Sequence, residues 1–184
     1  MIDSRAFALR NRLACVIAVS ALAIGGRARA QNPPAPPPDC TAPEHRQFDF
    51  WLGDWAVTDS TGQRRLGDSR ISSILKNCVL LEEWTGAGGS SGKSFNIYSR
   101  VDRKWHQSWV SDTGNLLHLE GGLRNGAMVL QGETPAPTGG TTLQRVTWSI
   151  VNDDRDHVRQ LWEQSTDGGA TWSVVFDGHY RRKR

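Results

Sequence analysis

Beyond Trp55 the chain shows no helical periodicity and keeps returning to one pattern, a short run of alternating apolar and polar residues followed by a turn. Runs rich in Val, Ile, Trp and Thr occupy 55–59, 65–76, 78–85, 93–101, 104–111, 115–123, 127–133, 141–151, 157–165 and 171–182. The turns between them carry their own chemistry. Asp112-Thr113-Gly114 suits a three-residue hairpin with glycine in the left-handed position, and Asn125-Gly126 is a strong two-residue hairpin signal. Asn152 to Asp156 is a polar turn. Ser165-Thr166-Asp167-Gly168-Gly169-Ala170-Thr171-Trp172 matches the S-x-D-x-G-x-T-W "Asp box", a hairpin staple. Strands joined by short hairpins make an antiparallel meander, and a meander this long removes its open edges best by closing. The expected fold is therefore all-β: a single antiparallel up-and-down β-barrel of about ten strands.

Connectivity then sorts the loops. If the start of the first strand marks the floor, segments 60–64, 86–92, 112–114, 134–140 and the Asp box share the opposite rim. Both long flexible loops, the Gly-rich 86–92 and the Pro/Gly-containing 134–140, fall on that rim. Cys78 and Cys40 fall at the floor, together with the end of the last strand.

The first residues do not belong to this pattern. Arg5, Arg10 and Arg12 precede an apolar run from Leu13 to Ile24, and Ala28-Arg29-Ala30 is an A-x-A site. Residues 1–30 thus read as a cleaved secretory signal, and the apolar run is too short to span a bilayer. Residues 1–30 hold five Arg and one Asp, so the rest of the chain carries 17 basic against 18 acidic side chains. The basic character of the full chain comes largely from the leader, and no basic patch remains to argue for nucleic acid. No later stretch is long enough for a transmembrane helix. Residues 31–39, with five prolines between Pro33 and Pro38, read as an extended spacer. Residues 40–184 form one domain, expected in the periplasm or secreted. Cys40 and Cys78 remain, and an oxidising compartment favours a disulfide between them over two free thiols.

The domain opens on an aromatic cluster, Phe48-Asp49-Phe50-Trp51-Leu52-Gly53-Asp54-Trp55. Thr41-Ala42-Pro43-Glu44 has the form of a capping box, with Thr41 as N-cap and Glu44 at the third position. A short helix of two or three turns is expected to follow, ending near Gly53 and closing one end of the barrel. Phe48, Trp51 and Trp55 recur at a three-then-four spacing and share one side.

Gly53-Asp54-Trp55 at the first strand, with a basic residue ending the last, resembles the calycin signature of lipocalins and fatty-acid-binding proteins. There a Trp closes the barrel base and an Arg stacks across it, which assigns the floor to Phe48, Trp51, Trp55 and Arg181. More specifically, residues 40–183 resemble a family of secreted bacterial proteins of unknown function with lipocalin-like barrels. The residues that carry this resemblance are F-D-F-W-x-G-x-W, Cys78 with Glu82, Glu83 and Trp84, Trp105-x-Gln107-x-Trp109, and D-G-G-x-T-W with Tyr180-Arg181-Arg182. The resemblance brings no established activity. That family is in turn distantly similar to nitrobindin, a ten-stranded barrel that holds haem through a histidine on a late strand. Extra strands and a missing C-terminal helix set the chain apart from lipocalins.

Candidate chemistry is sparse, and no catalytic constellation is recognised. Gln107-Ser108-Trp109 and Gln160-Leu161-Trp162 each put a Gln and a Trp on one face of a strand. With Trp105 they either line a small-molecule cavity or pack as ordinary core. His106 and His118 flank a turn but make an incomplete metal site, so no metal is expected. His179 is where a nitrobindin-like haem ligand would be sought; Phe176 and Tyr180 have the opposite parity. Glu82 and Glu83 are adjacent, so one of them faces the interior, as a catalytic carboxylate beside Asp49 or Arg145 or as a charge satisfied by an Arg. The leading expectation is a small apolar or amphipathic ligand entering through the 86–92 and 134–140 rim. A haem protein handling nitric oxide or peroxynitrite, and a filled structural barrel, are the alternatives.

Overall fold

The computed structural model describes residues 40–136 and 139–184. The leader (1–30), the proline spacer (31–39), and Pro137 and Thr138 of the rim loop lie outside the described residues. The strands are β1 (Gly53–Thr58), β2 (Arg65–Ile74), β3 (Val79–Gly86), β4 (Ser91–Ser99), β5 (Lys104–Ser111), β6 (Leu116–Arg124), β7 (Ala127–Pro135), β8 (Thr141–Val151), β9 (Asp154–Ser165) and β10 (Ser173–Arg182). Each pairs antiparallel with its sequence neighbours, and β1 pairs with β10, closing a ten-stranded barrel.

The turns follow their residues. Asn125 and Gly126 both have positive φ, 50° and 81°, as a two-residue hairpin turn needs. Asn152 and Asp153 do the same at 52° and 56°. These two residues make the turn alone, so β9 starts at Asp154, three residues before its apolar signal. The Asp box forms its staple: Ser165 Oγ (2.7 Å) and the Thr171 amide (2.9 Å) donate to Asp167 Oδ1, and Thr171 Oγ1 donates to Oδ2 (2.6 Å). Those bonds hold the Asp167 carboxyl well below its usual range, the Thr171 contacts first among them.

The expected short helix forms between Pro43 and Trp51, but as two 3-10 turns, Pro43–Arg46 and Asp49–Trp51, in place of an α-helix. Ala42, not Thr41, is the N-cap, and no cap side chain bonds either turn. The physical reason is visible in their side chains. A 3-10 turn eclipses residues i and i+3, and Phe48 stacks on Trp51 with ring centres 5.0 Å apart and planes 17° apart. Phe48 also meets the edges of Trp105 on β5 and Trp148 on β8, while Trp51 reaches Tyr180 on β10. Trp55 donates its indole N–H to the Trp51 carbonyl at 2.9 Å. Phe48, Trp51, Trp55, Trp148 and Met128 have no exposed surface. The half of the interior nearest the start of β1 is therefore packed solid.

The cation that caps this packing is Arg182, a correction to the expected Arg181. Arg182 lies 4.3 Å from the Trp55 ring and donates to the Leu52 carbonyl (3.0 Å). Strand parity decides it: Tyr180 faces inward, so Arg182 does too, and Arg181 points outward to Asp154 at 3.2 Å. Gly53, at φ 135°, leaves the space the Arg182 guanidinium occupies. Cys40 and Cys78 form the disulfide, tying the segment before the first 3-10 turn to the β2–β3 turn.

Candidate functional site

Above the packed half, the interior is open. A cavity of about 290 Å³ is walled by Trp84, Trp109, Trp162, Phe176 and Tyr180, with Leu66, Leu117 and Val146 between them and Glu82, Gln107, Gln160 and Ser90 as polar groups. It continues into a rim depression of about 700 Å³ that shares Trp84, Ser90, Trp109, Leu117 and Trp162. The rim is the end reached by the β3–β4 and β7–β8 hairpins, and Gly86 and Gly88 contribute to the mouth.

Space for the cavity comes from glycine. A Cβ on Gly67, Gly92 or Gly178 would collide with the rings of Trp84, Trp109 and Phe176 respectively. Each ring instead lies close against strand backbone, where a side chain would push it toward the barrel axis. Trp84 and Phe176 meet edge to face, 5.9 Å apart.

A polar belt separates cavity from packed floor. Glu82, on β3, is buried and accepts hydrogen bonds from Ser94 Oγ (2.8 Å) and Ser69 Oγ (3.2 Å). Asn96 Nδ2 donates to Ser94 Oγ (2.9 Å), and Gln107 Nε2 donates to Asn96 Oδ1 (2.8 Å). Across the barrel, the Tyr180 hydroxyl donates to Gln160 Oε1. No Arg, Lys or His lines the cavity among the described residues. Burial without a cation pushes the Glu82 carboxyl up to about 7 despite the two serine hydroxyls. Burial also raises the Tyr180 phenol well above its usual value, with the Glu82 charge adding to it.

Four of the residues singled out from sequence, Gln107, Trp109, Gln160 and Trp162, meet in this cavity. Trp105 shares their face but sits lower, donating its indole N–H to Gln47 Oε1 (3.2 Å) against Phe48, so it belongs to the packed floor. Strand alternation alone does not mark Trp84 and Phe176 as cavity residues; the signal that finds them is a glycine on the neighbouring strand, or two residues on, under each ring. Glu82 takes the inward position and Glu83 the outward one, where it pairs with Lys93 (2.7 Å). Neither Asp49 nor Arg145 is its partner: Asp49 pairs with Arg46 (3.4 Å), and Arg145 with Glu163 (3.0 Å) while lying over the Trp172 ring.

His179 points away from the cavity. Its Nδ1 lies 2.9 Å from His157 Nε2, and both line a shallow depression of about 190 Å³ with Thr58, Gly62 and Arg181. His179 is therefore no ligand for a haem in the barrel, and no His, Cys or Met lines the cavity among the described residues, so the residues do not fit that group. His106 and His118 also face outward and apart, to Asp102 (2.7 Å) and Ser108 (3.0 Å). The grouping that does form is Asp102, His106 and Glu120, with ligand atoms within 4.8 Å of one another. It lies on the exposed outer face, and Lys104 already pairs with Glu120.

No helix of the described residues is long and apolar enough to cross a membrane. Neither the protein-family models nor the curated proteins contain a match to this chain.

Proposed function

We propose that this chain is an extracytoplasmic, lipocalin-like barrel, closed at one end by its N-terminal 3-10 turns, that takes up one small apolar or amphipathic molecule. The cavity carries the reading: about 290 Å³, walled mainly by aromatic and aliphatic side chains with a few converging polar groups, and open to a wider rim. That is the chemistry of a small-ligand site, at the small end of the usual size range. The leader pattern and the Cys40–Cys78 disulfide support a location outside the cytoplasm. A filled structural barrel is the weaker reading, because the upper interior is not filled. Trp84, Trp109 and Trp162 make the site self-reporting. Native mass spectrometry of protein recovered from its own cell envelope is expected to retain a small molecule, and indole emission to shift with a subset of a ligand panel. A bare mass together with unchanged emission across lipids, aromatics and tetrapyrroles would remove the proposal.

A further inference from the structure

We propose that the molecule taken up is an organic cation, an amine or quaternary ammonium carried on a small apolar body, and that Glu82 is the counter-ion that selects it. This rests on the reading of the cavity as a ligand site. Glu82 is buried, opens onto the cavity and, among the described residues, has only hydroxyl partners, Ser69 and Ser94. Those hydroxyls bond one carboxylate oxygen each, Ser69 to Oε1 and Ser94 to Oε2, and supply no charge. The other groups at the belt, Gln107, Gln160 and Tyr180, are neutral.

The walls suit the same charge. The negative faces of indole and phenyl rings attract a cation, most strongly when both are out of water. Trp84, Trp109, Trp162 and Phe176 surround the space above Glu82. A carboxylate-bearing ligand such as a fatty acid meets the opposite situation: it would put a second negative charge beside Glu82 with no Arg, Lys or His among the described residues lining the cavity to neutralise either. The small inner volume, widening at the rim, fits a cationic head held between Glu82 and the ring walls with its apolar body extending toward the rim.

Proton linkage gives the test. The groups facing Glu82 are the Ser69 hydroxyl on β2, the Ser94 hydroxyl on β4 and the Tyr180 phenol on β10; only Tyr180 titrates, and far above neutrality. A change in cation affinity near pH 7 is therefore assignable to Glu82. Three probes of matched shape are titrated by indole fluorescence: 2-phenylethylamine, 2-phenylethanol and phenylacetate. The amine is expected to bind at least about tenfold more tightly than the other two at pH 8, and to lose about tenfold in affinity per pH unit below pH 7 as Glu82 takes up its proton. Glu82→Gln keeps the shape, and is expected to abolish the charge preference while 2-phenylethanol still binds. The wild-type pH profile decides the matter even if that variant folds poorly. Equal or tighter binding of the alcohol or phenylacetate, or a flat pH profile for the amine, overturns the role of Glu82 and leaves the cavity as a ligand site. Failure of all three probes to bind overturns the assignment of an amine on a small apolar body; the cavity reading itself falls only with a bare native mass and a silent wider panel.

Discussion

Arg182 and Arg181 are neighbours whose side chains leave opposite faces of β10. Arg182 stacks on a fully buried Trp55, and Arg181 makes an exposed ion pair with Asp154. Arg182→Ala is expected to cost about 1–2 kcal/mol, the scale of a partly desolvated cation–π contact. Arg181→Ala should stay within about 0.5 kcal/mol. Urea unfolding of the two variants checks the order, and equal losses would refute the stacking role. Trp55→Ala removes the ring itself, together with the hydrogen bond from its indole N–H to Trp51 O, and is expected to cost about 3–5 kcal/mol. Glu82 works in the other direction. Its carboxyl is raised from a usual value near 4.5 to about 7, so between those values the native state holds a proton that the unfolded chain has lost. Stability contributed at this site therefore falls as pH rises through that window and stays low above it, a cost of about 3 kcal/mol. In the absence of ligand, Glu82→Gln is expected to be more stable than wild type at pH 8 and to lose that advantage at pH 4. A variant less stable than wild type at pH 8 would mean that Glu82 is satisfied as an anion.

At the scale of elements, the β9–β10 hairpin is held by one exposed carboxylate. Asp167→Ala removes the acceptor for Ser165 and Thr171, and faster amide exchange is expected at the Asp box while β1–β2 is unaffected. The glycine seats make a second prediction. Gly178→Ala crowds the far edge of the Phe176 ring rather than strand backbone, so the ring should turn into the cavity. Reduced binding of neutral 2-phenylethanol, with near-UV ellipticity otherwise retained, is the expected outcome; unchanged binding would show that the ring does not bound the ligand. The N-terminal segment shows where local signals are overruled. Thr41 to Glu44 spells a helix start, yet an α-helix would separate Phe48 and Trp51 by less than a full turn. The tighter 3-10 geometry lets them stack and enter the barrel together.

For the whole molecule, the Cys40–Cys78 bridge anchors the segment that fills the floor. It closes a loop of 38 residues, and its loss is expected to cost about 4 kcal/mol on the loop-entropy account. A lower urea midpoint after reduction, and in the Cys40→Ser, Cys78→Ser double variant, checks this. The sequence by itself determined the number of strands, the turn positions, the bridge and the end at which the aromatic cluster lies. Those follow from alternation, turn residues and antiparallel connectivity, which are local or nearly so. It did not determine which of Arg181 and Arg182 stacks, which of Glu82 and Glu83 turns inward, or that Trp105 belongs to the floor while Trp109 bounds a cavity. Each of those is a question of absolute register. Alternation specifies that neighbours point to opposite faces, but which face is inside, and at what depth, is set only when β1 meets β10 and the barrel closes around Phe48 and Trp51.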